Sequence, residues 1–514
     1  MPETDDLVRP ATLLPRPAFL LAALLLALLP LRHFGEEIDG PHSWRQMDTS
    51  RTIRGFHEAG VDLLHPEVSW MGTWRVVVLE CPLPQAVAAL AQRALGTESL
   101  RVARAVFYAS FLLAAAGAYA AFRRATDEES ARFSTLLLLA SPLAQHYARA
   151  LVVDLFAIGL GLAAFALAAG ALARGRAGGL LLAALVATPA ALVKAPVLLP
   201  LVPPLLLAAA GARSRRLFVS GALLALVPAA AFALWRFHAD ATNGAAPDWS
   251  FIPDWHRMTD MGRWYFGGLA QRLDPVAWKT LAGRAAREVL GPAGALLLVA
   301  GAVFLRRRDD RPALLAWLSG AALYVLVFWN LNVVHDYYQL AVLPAASLLA
   351  AGPLKLLSIR LAARGPRAAA APLALLAFVA GVGTWWGDRR LYAVPAVGRA
   401  FGAAVRAATP AGALLVAVRD DVDARCPLLL EPSRRDGWSV REEFLSPAIV
   451  ERLRRLGATH LAWAHRGAPD PARIGRLSSL PRRTVPLPTG YTLYLWELGG
   501  SAGTSVPRRG EATK

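Results

Sequence analysis

The sequence is poor in charged residues and in cysteine. Of its 514 residues, 18% are charged and 55% are hydrophobic, and the mean hydropathy is +0.40. Soluble proteins carry about 25% charged residues, so this chain has too little charge to cover a water-exposed globular surface and is predicted to be a membrane protein. Its two cysteines, Cys81 and Cys426, allow at most one disulfide bond. They exclude a disulfide-stabilised scaffold and a cysteine-based zinc or iron–sulfur cluster.

Other familiar signatures are missing as well. The sequence contains neither a G-x-G-x-x-G nor a G-K-[ST] loop, so no nucleotide-binding fold is expected. No repeat of about 20 to 50 residues occurs. The chain has 55 Lys and Arg against 37 Asp and Glu, but the basic residues lie between long apolar runs. This distribution excludes nucleic acid as a partner and indicates membrane topology instead.

Long apolar runs occupy the first three quarters of the chain. Since about 20 apolar residues cross a bilayer as a helix, the sequence predicts an all-α polytopic membrane protein with about eleven transmembrane helices. The candidate spans lie near residues 13–31, 101–122, 132–148, 151–173, 178–193, 195–211, 217–236, 288–305, 312–330, 337–357 and 368–386.

The loops between these spans differ in charge. Loops predicted to be cytoplasmic are rich in Arg and Lys, whereas the short turns on the other side carry only Arg149 and Lys194. Because cytoplasmic loops collect basic residues, the sequence predicts a plasma or inner membrane protein with a cytoplasmic N-terminus. Two large loops, at about 32–100 and 237–287, and everything after about residue 387 are then extracytoplasmic.

Three regions follow from this topology. Residues 1–386 form a predicted transmembrane catalytic domain, residues 387–498 a small extracytoplasmic α/β domain, and residues 499–514 a disordered tail. In the α/β domain, apolar runs predict strands at about 413–418, 460–464 and 491–498 and a helix at about 446–456. The outer loops mix tryptophans with charges and prolines, a pattern typical of amphipathic helices at a membrane surface. These tryptophans are Trp44, Trp70, Trp74, Trp249, Trp255, Trp264 and Trp278.

Five groups of polar residues fall at the predicted outer ends of the spans. Ionisable residues in or beside membrane spans are costly and are therefore candidates for a functional site. Because all five groups face one side, we expect them to form a single site that binds a lipid phosphate and provides a carboxylate as base. The groups contain Asp39, His42, Trp44, Arg45 and Asp48; Glu80; Arg149 and Asp154; Lys194; and His335, Asp336, Tyr337 and Tyr338.

Each of these residues also has a purely structural explanation. Asp48 would cap a helix that begins just after it, and Lys194 would extend toward lipid headgroups. Arg149 and Asp154 would pair as ions, and residues 335–336 would close a tight turn. Independent structural roles would scatter such residues over both membrane faces, whereas the pattern collects them on one.

At these residues the chain resembles the GT-C superfamily of polyprenyl-phosphate-sugar-dependent glycosyltransferases, in particular glycosyltransferase family 39 and the aminoarabinose-transferase-like proteins related to protein O-mannosyltransferases. Residues 42–49, HSWRQMDT, are similar to the family's H-x-W-R-Q-x-D-T stretch, and residues 79–83, LECPL, to its E-x-P-L segment. Residues 147–154 resemble its Y-x-R-x-x-x-x-D turn, residues 192–194 its lone-lysine turn, and residues 335–340 its H-x-Y-Y-x-L turn.

The resemblance implies an enzyme that takes a sugar from a polyprenyl phosphate on the extracytoplasmic face and passes it, with inversion in a single displacement, to an acceptor. Many relatives carry an adjacent Asp-Glu pair after the first span, whereas the acids here are separated. Asp48 is favoured as the base, and Asp39 is next. Glu80 is the third acid to which the resemblance gives a catalytic role.

The other site residues divide into two expected roles. The donor phosphate is expected to contact the basic side chains Arg149, Lys194, His335 and Arg45. The residues expected to line the substrate-binding site are His42, Trp44, Asp154, Tyr337 and Tyr338. Carboxylates indicate hard cations only loosely, and the two that would hold a divalent metal are Asp48 and Glu80. No other cofactor is expected.

Two other functional classes compete with the enzyme. A transporter or lipid flippase would place its site near the bilayer midplane, in broken helices related by internal repeats, and the sequence shows neither. A non-catalytic membrane scaffold would leave the one-sided polar residues without a role. The sequence therefore favours a glycosyltransferase whose partners are a polyprenyl-phosphate-linked sugar and a lipid, glycan or protein acceptor.

Overall fold

The computed structural model describes residues 14–211, 215–246, 261–362, 364, 368, 370–422 and 426–499. The predicted cytoplasmic N-terminus, Trp249, Trp255 and the predicted tail beyond residue 499 lie outside these ranges.

Helices make up most of the described chain, and a small sheet follows them. The helices, numbered along the described residues, are α1 Arg16–Leu28, α2 Ser43–Ala59, α3 Leu83–Ala94, α4 Leu100–Ala125, α5 Glu128–Ala140, α6 Pro142–Tyr147, α7 Asp154–Arg174, α8 Ala177–Lys194, α9 Val202–Ala210, α10 Arg215–Gly244, α11 Gly262–Phe266, α12 Leu269–Leu273, α13 Pro275–Arg284, α14 Gly291–Phe304, α15 Arg311–Val327, α16 Trp329–Val334, α17 Leu343–Ala362, α18 Ala371–Arg390, α19 Ala396–Ala408, α20 Leu430–Ser433, α21 Pro447–Arg455 and α22 Pro471–Ile474. The strands are β1 Leu414–Arg419, β2 Asp436–Arg441, β3 His460–His465, β4 Arg483–Pro486 and β5 Thr492–Glu497.

Six helical segments in the described ranges are long and apolar enough to cross a membrane, and a seventh is reached if one pair bent by 106° counts as one span. The expected count of about eleven is therefore not reached. One reason is that the predicted spans at 178–193 and 195–211 form a single helical stretch, Ala177–Ala210. Another is that α15 is short, with 17 residues. Helices α5 and α18 are also not among the six segments.

Small residues allow the bundle helices to approach closely. Gly117 on α4 and Gly159 on α7 face each other, and a Cβ atom on Gly117 would lie 2.8 Å from the carbonyl oxygen of Gly159. A Cβ atom on Gly159 would lie 2.9 Å from the backbone nitrogen of Ala114. Side chains larger than hydrogen would separate these two helices, which is the usual reason for small residues between membrane helices.

The sheet forms a small α/β unit at the C-terminal end. Its strand order is β2-β1-β3-β5-β4, with β1 parallel to both β2 and β3 and with β5 antiparallel to β3 and β4. The three strands predicted from apolar runs are present as β1, β3 and β5. The sheet also contains β2 and β4, which the sequence did not indicate.

The first outer loop packs against this domain as well as against the bundle. Helix α2 buries Met47, Ile53 and Phe56, so it is not the surface-lying amphipathic helix that the sequence suggested. Helix α3 fits that expectation better, because it buries Ala88 and leaves hydrophobic side chains such as Leu90 exposed. Both Cys81 and Cys426 lie in described segments, are buried and form no disulfide with each other.

Candidate active site

Helix α2 carries the first two charged residues of the site. It begins at Ser43, so Asp48 lies inside the helix and the prediction that it caps a helix is wrong. Arg45 and Asp48 are three residues apart and therefore point from the same face of the helix. Both side chains are largely buried.

Glu80 reaches this face from an extended segment. Asn243 on α10 accepts a hydrogen bond from the Val78 nitrogen at 2.8 Å and donates one to the Val78 carbonyl oxygen at 2.7 Å. The Cys81 nitrogen donates to the carbonyl oxygen of Leu192 on α8 at 3.0 Å. Held in this way between two bundle helices, Glu80 forms an ion pair with Arg45.

Lys194 and Asp154 form the second ion pair. The Lys194 ammonium donates to the Asp154 carboxylate at 2.8 Å. It also lies 4.8 Å from the ring centre of Tyr337 and 4.2 Å from that of Tyr338. The prediction that Lys194 extends toward lipid headgroups is therefore wrong, because its charge turns inward to a carboxylate and two aromatic faces.

Asp39 and Arg149 form the third pair. Arg149 Nη2 donates to both carboxylate oxygens of Asp39 at 2.8 Å. The guanidinium is fully buried and lies 4.7 Å from the ring centre of Tyr392. Gln46 Nε2 donates to the Asp39 carbonyl oxygen at 2.5 Å, which ties the Asp39 segment to α2. Arg149 thus pairs with Asp39, and the predicted pair of Arg149 with Asp154 is wrong.

A histidine and aromatic cluster closes the site on the side of α16. His42 Nε2 lies 3.1 Å from an oxygen of Asp336, and the Tyr147 hydroxyl donates to the same carboxylate at 2.5 Å. The ring of His335 stacks on Tyr337 with ring centres 5.0 Å apart. His335 and Asp336 therefore do more than close a turn, because each contacts a residue from another part of the chain.

The ion pairs and this cluster belong to one contiguous site. Tyr337 touches several of them: its ring centre lies 5.1 Å from that of His42 and 5.9 Å from that of Tyr147, in addition to its contacts with His335 and Lys194. Trp44 joins through His335, at 5.7 Å between ring centres. The structure thus brings together all thirteen residues that the sequence singled out, from stretches up to about 300 residues apart. They are Asp39, His42, Trp44, Arg45, Asp48, Glu80, Arg149, Asp154, Lys194, His335, Asp336, Tyr337 and Tyr338.

Asp48 has an environment that differs from the other acids. Its Oδ1 accepts a hydrogen bond from the indole nitrogen of Trp70 at 2.8 Å, and both side chains are buried. Burial raises the pKa of Asp48 to about 7, and Glu80 and Glu431 add to this effect; Arg45 and the Trp70 hydrogen bond oppose it. A carboxylate with such a pKa is suited to accept a proton near neutral pH.

The carboxylates do not fit a divalent metal in this arrangement. Glu80 faces the Arg45 guanidinium and Asp48 faces an indole N–H, so both already have positive or hydrogen-donating partners. Within the described ranges, no group of three or more His, Cys, Asp or Glu side chains is arranged to hold a metal ion. The structure therefore does not arrange Asp48 and Glu80 as the predicted metal pair.

Several residues of the site were missed at the sequence level. Trp70 looked like a headgroup tryptophan, but it donates to Asp48. Tyr147 and Gln46 were part of quoted motifs without an assigned role, and they bind Asp336 and the Asp39 backbone. Tyr392 lies beyond the last predicted span, where no motif drew attention to it. Trp70 lies in the loop between the motifs at 42–49 and 79–83 and carries an N–H donor. That position is the feature of the sequence that could have identified it as a site residue.

A separate cavity of about 410 Å³ opens on the opposite face of α2. Met47, Ser50 and Arg54 contribute to its wall, whereas Arg45 and Asp48 point away from it. Its remaining wall comes from residues 36–38, from the end of α3 and the start of α4, from Leu151 and from residues 394–434. Helix α2 thus lies between this cavity and the side chains of Arg45 and Asp48.

No protein-family model and no curated protein matches the chain. Several solved structures, in contrast, are similar to the chain. The chain is similar to ArnT from Cupriavidus metallidurans bound to undecaprenyl phosphate, with a TM-score of 0.62 and 16% identity over 93% of this chain and 97% of that one. It is also similar to the archaeal oligosaccharyltransferase AglB from Archaeoglobus fulgidus in complex with an inhibitory peptide and a dolichol-phosphate, with a TM-score of 0.56 and 13% identity over 87% of this chain and 69% of that one.

A third similar structure is the arabinofuranosyltransferase AftD from Mycobacteria, with a TM-score of 0.50 and 16% identity over 95% of this chain and 40% of that one. These three neighbours are glycosyltransferases of the GT-C fold. At this level of identity the likeness concerns the fold, and it confirms the fold that the sequence motifs suggested. The chain is a multi-pass membrane protein with the GT-C fold.

Proposed function

We propose that the protein is a membrane glycosyltransferase that moves a sugar from a polyprenyl-phosphate donor to an acceptor on the extracytoplasmic face, with inversion of the anomeric centre. Two of the similar structures hold a polyprenyl or dolichol phosphate, which supports a donor of this class. The basic residues of the loops at the other end of the spans support the extracytoplasmic location.

The observation that carries the proposal is the convergence of three cations with buried hydrogen-bond donors in one site. Arg149 Nε and Nη1 and His335 Nδ1 are buried and have no hydrogen-bond partner among the described residues. Buried polar groups are normally paired, so the two Arg149 N–H groups, together with His335 Nδ1 in the tautomer that protonates it, are suited to a ligand rich in acceptor oxygens. A sugar phosphate is such a ligand, and guanidinium groups bind phosphate with charge-assisted hydrogen bonds.

The chemistry is a single displacement. Asp48 accepts the proton of the acceptor hydroxyl while the oxygen of that hydroxyl bonds to the anomeric carbon. The bond between that carbon and the phosphate oxygen breaks, and the electron pair leaves with the polyprenyl phosphate. Lys194 and Arg45 stabilise the charge that develops on the departing phosphate. Attack opposite the leaving group inverts the anomeric centre, and Asp48 finishes protonated.

The contacts favour Asp48 over Asp39 as the base. Both oxygens of Asp39 accept hydrogen bonds from Arg149, so this carboxylate is engaged in holding a cation that we assign to the phosphate. Asp48 accepts from a neutral indole, and its pKa of about 7 allows it to take up a proton at neutral pH. Glu80 holds Arg45 in an equivalent way, and we assign it a positioning role.

A transfer assay tests the proposal. Purified protein in detergent receives a panel of polyprenyl-phosphate sugars and an acceptor extract from the source cells, and release of free polyprenyl phosphate is measured. We expect release by the wild type, loss in Asp48→Asn with donor binding retained, and weaker donor binding in Arg149→Met. Asp388→Asn is the matched control, because this exposed acid pairs with Arg32 outside the site. A folded wild type that releases no polyprenyl phosphate from any donor would contradict the proposal.

A further inference from the structure

We propose that the C-terminal domain positions the catalytic base: it binds residues 68–72 of the first outer loop, and Trp70 in this segment fixes the carboxylate of Asp48. The proposal rests on the proposed function, because it takes Asp48 as the base. It gives the C-terminal domain a role in the reaction without placing any of its own side chains on the substrate.

Residues 68–72, here called the strap, extend the edge of the C-terminal sheet. Strand β2 is an edge strand, and its Gly437 nitrogen donates to the Ser69 carbonyl oxygen at 2.9 Å. In return, the Gly72 nitrogen donates to the Gly437 carbonyl oxygen at 2.7 Å. Met71 is bridged to Trp438 in antiparallel fashion. The strap thus belongs to the sheet, although Ser69 and Gly437 are 368 positions apart along the chain (437 − 69).

The strap also contributes to the core of the domain. Val68, Trp70 and Met71 are each at most 5% exposed and pack in the same hydrophobic cluster as Trp438 and the buried faces of β1 and β3. Gly72 ends the strap with φ of +58°, and a Cβ atom there would lie 2.2 Å from the Trp438 ring. Only glycine fits this turn against the indole. The position of Trp70 is therefore set by the packing of the C-terminal domain.

Ion pairs hold α2 to the same domain. Arg51 donates to Asp436 at the start of β2 at 3.0 Å, and Arg54 donates to Glu431 at 2.7 Å. Arg51 lies less than one turn after Asp48, and Arg54 less than two turns after it. The helix that carries the base and the strap that carries its hydrogen-bond donor are thus fastened to one rigid sheet, which fixes the distance between them.

The indole N–H suits this positioning task. It is a donor only and cannot take the proton that Asp48 accepts. By donating to Oδ1 it fixes the rotamer of the carboxylate. Three charged groups surround Asp48: Arg45 on its own helix, Glu80 on the segment held by α8 and α10, and Glu431 on the C-terminal domain. Burial raises the pKa of Asp48, and the Trp70 hydrogen bond lowers it by stabilising the ionised carboxylate. Loss of this hydrogen bond is therefore expected to raise the pKa of Asp48.

Trp70→Phe tests the proposal, since it keeps the aromatic packing and removes the N–H. We expect kcat at pH 7 to fall about fivefold, the KM for the donor to stay unchanged, and the acid limb of the pH–rate profile to move up by roughly one pH unit, as the loss of one hydrogen bond to a carboxylate predicts. Trp74→Phe is the matched control, because the Trp74 indole nitrogen is buried in the same loop with no hydrogen-bond partner in the described part of the chain. It should leave the acid limb in place.

The outcomes separate this proposal from the proposed function. If Trp70→Phe behaves like Trp74→Phe while Asp48→Asn is inactive, the enzyme function stands and the positioning role is overturned. If Asp48→Asn keeps full activity, the assignment of Asp48 as the base is wrong, and the positioning role that depends on it is overturned as well. Should Trp70→Phe not fold, Gly72→Ala provides the second variant: it keeps the indole but displaces the strap from Trp438, and an acid limb unchanged from the wild type would overturn the proposal.

Discussion

Replacing Lys194 should separate the stability of the fold from the binding of the donor. In the Lys194→Met variant the side chain keeps its length, but the Asp154 carboxylate, with only 2% of its side chain exposed, loses its counter-ion. Removing one partner of a buried ion pair costs about 3–5 kcal/mol. The variant should therefore unfold at a clearly lower temperature than the wild type.

The double variant Lys194→Met with Asp154→Asn removes both charges. Exchanging a whole buried ion pair for neutral groups of similar volume is often close to neutral for stability, so most of the lost thermal stability should return. Donor binding should not return with it. A charge-assisted hydrogen bond contributes about 1.5–3 kcal/mol, so both the single and the double variant should bind polyprenyl phosphate about 10 to 150 times more weakly than the wild type.

Thermal unfolding in detergent and isothermal titration with polyprenyl phosphate measure the two quantities on the same preparations. Asp154→Asn alone serves as the control, because it leaves the ammonium in place. If the double variant regained donor affinity together with stability, Lys194 would have a structural role only, and its assignment to the phosphate would be refuted.

Three further predictions concern the base, the bundle and the contact between domains. The rate of transfer should fall about tenfold per pH unit below about pH 7, because protonation removes the reactive form of Asp48, whose folded-state pKa is about 7; a pH–rate profile flat down to pH 5 would contradict this. Gly159→Leu should lower the unfolding temperature and abolish activity, since a Cβ atom there already meets the Ala114 nitrogen at 2.9 Å and overpacking costs about 1–3 kcal/mol; unchanged thermal unfolding would refute the close packing. Arg51→Met should leave Asp436 buried without its nearest counter-ion and make the C-terminal domain more sensitive to protease; equal rates of digestion would show that this ion pair does not hold the domain.

The residues singled out from the sequence lie together in the structure, but the sequence did not predict how they pair. The groups that contain Arg149, Lys194 and His335 interrupt otherwise apolar runs, and the cost of polar residues beside lipid makes such interruptions informative. Pairing is different, because Asp39 and Arg149 are 110 positions apart and only the packed bundle brings them together. The structural alternative drawn from the sequence paired Arg149 with Asp154, five residues on, and this neighbour binds Lys194 instead.

The C-terminal sheet shows the same limit. Strands β1, β3 and β5 are apolar runs that are buried along most of their length. Strand β4 is a four-residue, mostly exposed edge, and β2 begins with Asp436 and Gly437, so neither had a clear strand pattern. The contact of β2 with the strap could not be predicted, because it joins segments from opposite ends of the chain. For that reason Trp70 looked like a membrane-surface residue.

The most direct test of the central claim is a structure of the wild-type protein with a polyprenyl phosphate, determined by electron cryo-microscopy in a lipid environment. The account predicts density for the phosphate within hydrogen-bond distance of Lys194, with Arg45, Arg149 or His335 completing its contacts. Lipid density confined to the outer surface of the bundle, with these four side chains still engaged only with their protein partners, would contradict it.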